Sequence, residues 1–292
     1  MQPKEFLLRL NVCRGLGMLS KDQLWRVAAE RYEFNDMATL TSIAGFTGTR
    51  RDKFLENWAS KSVEEAYQRN RQMPFVTIVD REYPELLRNM YCPPLVLYFM
   101  GNVNLLKSTC LAVVGARQMS NYAKNALQQL LPPVVHRHVT VVSGLARGVD
   151  GLSHQITLNH DGKTIAVVGN GLNRVYPPEH DHLQRMVKRH GLIISEYPLD
   201  APSLPHHFIE RNRIIAGLSQ ACLVVEARKK SGSLVTSAIA LQENRNVLAI
   251  PGPIDSELSV GCNELIAIGA RPVMTANDIL DELHNQFYAA LD

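Results

Sequence analysis

Cysteine is sparse and never patterned. The 292 residues include five, Cys13, Cys92, Cys110, Cys222 and Cys262, an odd number with no CxxC spacing. That argues against a disulfide framework or a thiolate zinc site and fits small buried thiols in a reducing compartment. No run of 18 apolar residues occurs, so a membrane-spanning helix is not expected. The opening MQPKEFLLRLNV has too short an apolar part for a signal peptide, and a cytoplasmic location is expected. GxxxxGK[ST] is missing, which argues against ATP hydrolysis by a P-loop. GxGxxG is missing as well, and Val135, His136 and Arg137 stand where a dinucleotide-binding fold would carry an acidic residue. No low-complexity tract or internal repeat appears, and neither cofactor nor metal is expected.

What is present is an ordinary globular composition, 46% apolar and 20% charged. Net charge is only +3, but it is unevenly spread. Residues 107–230 carry 15 Lys and Arg against 8 Asp and Glu, whereas 231–292 carry 2 against 8. A basic middle suits nucleic acid and an acidic end does not. Plain solvated surface charge is the alternative.

Residues 1–72 read as a small helical domain, with helical spacing in Phe6, Leu7, Leu10 and in Leu24, Trp25, Ala28. Gly15 to Gly17 and Gly45 to Gly48 mark helix stops. The stretch IAGFTGTRRDKF resembles the hairpin of helix-hairpin-helix modules, with Arg50, Arg51 and Lys53 placed for a phosphate; a plain helical bundle is the other reading. Residues 73–106, punctuated by Pro74, Pro84, Pro93 and Pro94, read as a connector with edge strands. From 107 to 292 short continuous apolar strands (LAVVG, VTVVS, TIAVV, LIIS, CLVVE, VLAI, PVMT) alternate with helical spacing. That pattern predicts an α/β domain, Rossmann-like and doubly wound, with a mostly parallel sheet covered on both faces. Its ligand belongs beyond the carboxyl ends of the strands. The final stretch from Ala276 to Asp292 reads as an acidic helix.

Four glycine turns fall at those strand ends, and VTVVSGLARGVD (139–150) is the one around which the others are arranged. A strand, a glycine turn and a helix start leave backbone amides aimed at one spot, which favours an anion. The candidates are Gly115 and Arg117 in the first turn, and Ser143, Gly144, Arg147 and Gly148 in the second. The third supplies Asn170, Arg174 and Tyr176, the tyrosine in a proline-fixed loop suited to stacking on a nucleobase. The fourth, with Lys230, Ser231, Gly232 and Ser233, is a phosphate nest at a helix N-terminus. PHHFIERNRII adds His206, Phe208, Arg211, Asn212 and Arg213; the two arginines project to opposite sides, so that one faces the site and the other pairs with Glu210 or Glu196. The neighbouring histidines are poor metal ligands for a single ion. Asp150 and His154 share a helix face with no nucleophile beside them, so no catalytic group is expected.

SGLARGVD (143–150), TIAVVGNGLNRVYPPE (164–179), IISEYPLD (193–200), FIERNRIIAGLS (208–219), LVVEARKKSGSLVTSAIAL (223–241) and VLAIPGPID (247–255) together resemble the DprA/Smf family of bacterial DNA-processing proteins. The resemblance covers roughly residues 80–280. It implies an extended Rossmann-like domain that binds single-stranded DNA without sequence preference. It also implies transfer of that DNA to a RecA-type recombinase in natural transformation, homodimerisation through the same domain, and no enzymatic activity. The helical domain would correspond to the family's sterile-alpha-motif-like domain; the winged helix many members carry after the sheet has no counterpart before Asp292. Carried over, the Gly-x-Arg turn falls on Gly115 and Arg117, the Ser-Gly-Leu-Ala-Arg-Gly turn on 143–148, Arg-Asn-Arg on 211–213 and the Ser-Gly-Ser nest on 231–233. Arg117 is the leading candidate for a DNA phosphate. This chain departs from some relatives in having Pro205 and His206, and Pro178, where a lysine can stand. The alternatives are a nucleotide-processing enzyme of the phosphoribohydrolase kind, for which SGSLVTSAIA lacks the required glutamate, and a protein-docking adaptor with secondary DNA binding. The acidic segment 231–292 is the expected protein-facing surface.

Overall fold

A computed structural model describes residues 1–289, with side chains through Leu283. Five helices come first: α1 (Pro3–Val12), α2 (Met18–Arg31), α3 (Met37–Ile43), α4 (Gly48–Trp58) and α5 (Lys61–Asn70). The sheet then begins with β1 (Phe75–Thr77), α6 (Glu85–Arg88) and β2 (Val96–Gly101). It continues as β3 (Cys110–Val114), α7 (Asn121–Val135), β4 (Thr140–Ser143), α8 (Val149–Asn159), β5 (Thr164–Val167), α9 (Asp181–His190) and β6 (Leu192–Ser195). The remainder is α10 (Pro205–Leu218), β7 (Ala221–Val224), α11 (Gly232–Gln242), β8 (Asn246–Ala249), α12 (Val260–Ala267), β9 (Arg271–Pro272) and α13 (Ala276–Ala289). The last is the expected terminal helix; residues 290–292 of that stretch lie outside the described residues. Among the described residues no helix is long and apolar enough to cross a membrane.

The nine strands form one sheet in the order β1-β2-β6-β5-β4-β3-β7-β8-β9. From β6 to β9 every pairing is parallel, while β2 meets β6 and β1 meets β2 antiparallel. Val, Ile, Leu and Ala fill the central strands because both sheet faces are covered. Side chains alternate between them: Leu111 and Val113 pack toward α7 and α8, while Cys110, Ala112 and Val114 pack toward α10 and α11. The α/β, mostly parallel, doubly wound reading is therefore the observed fold, preceded by a helical region.

Two features set up the site. The chain leaves β3 toward β4 on one side and later returns to β7 on the other, so the loops after β3 and β7 part and leave a crevice at the switch point. The five N-terminal helices do not stand apart from the sheet. Their core, with Phe6, Trp25 and Phe34, is continuous with Val96 and Tyr98 of β2, Ala166 of β5 and Ile193 of β6.

Candidate nucleic-acid interface

The four turns at the carboxyl edge are not equivalent. At the start of α7, Ser120 N–H donates to Glu226 Oε2 at 2.9 Å and the Ser120 hydroxyl donates to Oε1. An internal carboxylate thus occupies that N-terminus. At the second turn Gly144 N–H donates to Asp150 Oδ2 at 3.1 Å, and Asp150 is buried. The third turn opens into a loop whose Gly171 and Asn173 amides donate to the carbonyls of Ala201 and Leu199, both at 3.0 Å, while buried Asn170 donates to the carbonyls of Gly171 and Arg174. Of these four turns, the one before α11 leaves that helix an open start among the described residues. Ser231 is its N-cap without a side-chain cap bond, and a Cβ at Gly232 would meet nothing within 4 Å. Of the four expected amide nests, then, three are used internally and one remains for an anion.

Around that open start lie two adjoining cavities of about 400 and 490 Å³. Both touch Ala116, Arg117, Ala146, Tyr176 and Ser231, so they form one cleft. The exposed Arg117 lies over Phe208, 5.7 Å from guanidinium carbon to ring centroid. Phe208 in turn sits 5.0 Å from the Tyr176 ring, tilted by 34°. Arg147 reaches the cleft and pairs with Glu179. Gly115, Asn212, Gly232 and Ser233 line it as well.

Arg211 forms the floor. Its guanidinium donates to the carbonyl oxygens of Gly144, at 2.5 Å, and Val167, clamping the ends of β4 and β5 together. It is 3% exposed. Burial lowers its pKa to about 10, against the pull of Asp150, so the charge persists at neutral pH. Burial likewise pushes the Asp150 carboxyl up, with Arg211 and the Gly144 amide holding it back. A Cβ at Gly144 would overlap the Arg211 guanidinium, so any larger residue there would displace the clamp. Gly148 faces a second restriction: its φ is +73°, and a Cβ would run into the carbonyl of Ala116.

Several expected contacts lie elsewhere. Arg213 is two residues beyond Arg211, about 200° around the helix. It faces away from the cleft, bonding both carboxylate oxygens of Glu196 at 2.5 and 2.6 Å and the Cys92 carbonyl at 2.9 Å. Arg174 donates to the Asp200 carbonyl at 2.8 Å outside both cavities. Ser143 is buried, its hydroxyl donating to the Val113 carbonyl at 2.7 Å. His206 lines a different cavity, between the N-terminal helices and the sheet. Lys230 is exposed in the turn and lines neither part of the cleft. Arg51 of the hairpin-like segment turns inward, onto Thr41 Oγ1 and the Ala38 carbonyl.

The cleft also holds residues the sequence did not single out: Gln118, Ile209, Arg228 and Leu258. Arg228 was within reach, since it shares the EARKKSGS turn with the chosen Lys230. Leu258 carried no signal, because its segment meets the cleft only through the fold. Among the described residues no cluster of three His, Cys, Asp or Glu is placed to hold a metal ion. Asp150 is the sole carboxylate lining the cleft, which has no His or Cys among its described residues.

A doubly wound sheet with an arginine- and aromatic-lined crevice at its switch point defines the class: an extended Rossmann-like α/β protein. Residues 74–284 match the family model of DNA recombination-mediator protein A, and the chain belongs to that family, which places it among DNA recombination mediators. The DNA processing protein DprA of Streptococcus pneumoniae is 36% identical over 265 residues, covering 90% of this chain and 94% of that one. Protein Smf of Escherichia coli is 44% identical over 202 residues, covering 69% of this chain and 54% of its own length. The X-ray structure of the S. pneumoniae protein superimposes with a TM-score of 0.88 at 33% identity, covering 95% and 97% of the two chains. The structure of DNA processing protein A from Helicobacter pylori, described for its single-stranded DNA binding mode, gives 0.65 at 27% identity, covering 73% and 97%.

Proposed function

We propose that the cleft holds single-stranded DNA without regard to sequence and that the protein passes the strand to a RecA-type recombinase. The observation that carries this reading is the grouping of Arg117, Phe208 and Tyr176 beside the open N-terminus of α11. Arginines and free amides suit phosphates, which every sequence has. The paired rings suit bases, which stack on any aromatic face. A cleft whose sole carboxylate is buried and bonded offers no nucleophile with a base beside it, which supports binding without catalysis. The binding residues in this reading are Gly115, Arg117, Arg147, Tyr176, Phe208, Asn212, Ser231, Gly232 and Ser233, joined by Arg228. Residues 1–72 form a helical domain, the connector 73–106 lends edge strands, and 107–292 is the DNA-binding domain. The domain pairs as a homodimer, and the recombinase meets the acidic 231–292 segment.

The test is titration of labelled oligonucleotides of unrelated sequence over a range of salt. Similar affinities that fall steeply as salt rises support the reading. No binding at low ionic strength, or release of a free base from a nucleoside monophosphate, overturns it.

A further inference from the structure

A third cavity, about 980 Å³, lies between the loop joining α1 to α2, helix α5, the loop after β6 and the first turn of α10. It is separate from the cleft, and the proposed DNA path does not use it. Its walls carry both signs of charge, but the carboxylates among the described residues are already engaged. Glu196 takes two bonds from Arg213. Asp200 is held by Arg69 at 3.3 Å and Asn173 at 2.8 Å. Glu65 pairs with Lys61 at 3.6 Å, and Glu210 accepts from the uncharged Tyr197 hydroxyl at 2.7 Å without an ion pair among the described residues.

Three of these four carboxylates have a cation beside them, whereas two cations at the wall have no carboxylate among the described residues. Lys21 reaches the cavity wall, where its ammonium donates to the Asn11 carbonyl at 2.7 Å. No carboxylate stands within ion-pair distance of it among the described residues. It is surrounded by protein yet keeps some accessible surface, because the cavity itself reaches it. Arg14 at the cavity wall also has no ion pair among those residues. Buried charges are ordinarily paired. An enclosed ammonium beside a roomy, wettable space, with Glu196 acting on it only from beyond ion-pair distance, is a charge without a contact partner of opposite sign among the described residues.

We propose that this cavity binds a small anion of the phosphate class, with Lys21 as its central cation and Arg14 as its outer one. Burial lowers Lys21 to about 8, so it is still mostly charged at neutral pH, and a bound phosphate would hold that proton more firmly. Because the walls come from both the N-terminal helices and the sheet, the ligand would brace one against the other. Asn11 prepares this joint: its carbonyl faces Lys21 while its side chain donates to the Glu196 carbonyl and accepts from the Tyr98 hydroxyl, both at 2.9 Å. The phosphate could belong to a small molecule or to the end of a strand.

Thermal unfolding of the full chain with inorganic phosphate, AMP and a 5′-phosphorylated tetranucleotide, against chloride at equal ionic strength, tests the site. At ten times Kd the melting temperature should rise by about 2–5 °C, and Lys21→Met should lose the rise. Arg14→Ala, on the exposed loop, should weaken it if Lys21→Met folds poorly. Arg117→Ala must keep it, which separates this site from the cleft and lets either fail alone. Measured in Arg117→Ala and relative to the same tetranucleotide without its 5′-phosphate, a larger rise with AMP than with the phosphorylated tetranucleotide identifies a small molecule, and the reverse identifies a strand end. No phosphate-specific rise, or an equal rise in Lys21→Met and Arg14→Ala, overturns the proposal.

Discussion

Arg117 lies over the face of Phe208, 5.7 Å from the ring centroid, so the cation and the stacking surface of the cleft are one assembly. In such a contact the arginine is oriented by the ring while its outer donors remain free for a phosphate. Replacing Arg117 by Ala should weaken binding of unrelated oligonucleotides about equally. The slope of log K against log salt should flatten by about 0.7, the share of one neutralised phosphate on a single strand. Phe208→Ala should lower affinity by about 1–3 kcal/mol with the slope unchanged. Fluorescence anisotropy across a salt series reads both. An unaltered slope in Arg117→Ala would remove that residue from the phosphate path.

Arg211 behaves differently, although the sequence presents it as one more basic residue. Its Nη1 is spent on the carbonyls of Gly144 and Val167, so it shapes the cleft from beneath. Arg211→Lys keeps a charge but loses the Nε that donates to Asn212 Oδ1 at 3.2 Å and the planar head that aims Nη1 at both carbonyls. We expect weaker DNA binding with an unchanged salt slope, because no counterion release is lost. If the slope flattens as it does for Arg117→Ala, Arg211 touches phosphate and the positioning role is wrong.

Arg213, buried, and Glu196, half-buried, form an ion pair, 8% and 16% exposed at the side chain. The pair also ties the sheet to the N-terminal helices, since Arg213 Nε approaches Met18 Sδ at 3.0 Å and Asn11 bonds the Glu196 carbonyl. Arg213→Met strands a half-buried carboxylate and should cost about 2–4 kcal/mol, less than the roughly 3–5 of a fully buried pair, whereas Arg213→Met with Glu196→Gln should recover much of that loss. Urea denaturation of the single and double variants measures it. Equal loss in both would mean that packing, not charge, holds this joint.

These cases show which part of the molecule was readable in advance. Strand identity was legible from runs such as LAVVG and TIAVV, because a strand buried on both faces has no polar face to disguise it. The direction of Arg211 and Arg213 was half legible: helix geometry separates them, but the sequence leaves Glu210 and Glu196 equally open as the partner of the outward one. The filling of the α7 start by Glu226 was hidden. It joins residues 106 apart, and no local pattern announces that a helix N-terminus is already neutralised. The cleft's Leu258 was hidden for the same reason.

His154, which shares a helix face with Asp150, has a consequence for stability. It is fully buried, and its Nδ1 lies 2.6 Å from Thr164 Oγ1. The Thr164 hydroxyl donates to the Val141 carbonyl at 2.7 Å, so the imidazole must place its proton on Nδ1 and donate. That leaves Nε2 unprotonated and without a partner among the described residues. Burial, with His180 and Arg211 adding to it, lowers the pKa to about 3. Between about 6.5 and about 3 the unfolded chain binds a proton that the folded chain refuses, so stability is lost as pH falls through that window. The loss is about 1.4 kcal/mol per pH unit, or about 2 kcal/mol at pH 5. His154→Gln retains a donor for Thr164 but does not titrate. The stability gap between wild type and this variant, from denaturant unfolding, should therefore shift by about 2 kcal/mol in favour of the variant between pH 7 and pH 5. A gap that stays constant over that range would show that His154 accepts its proton inside the fold.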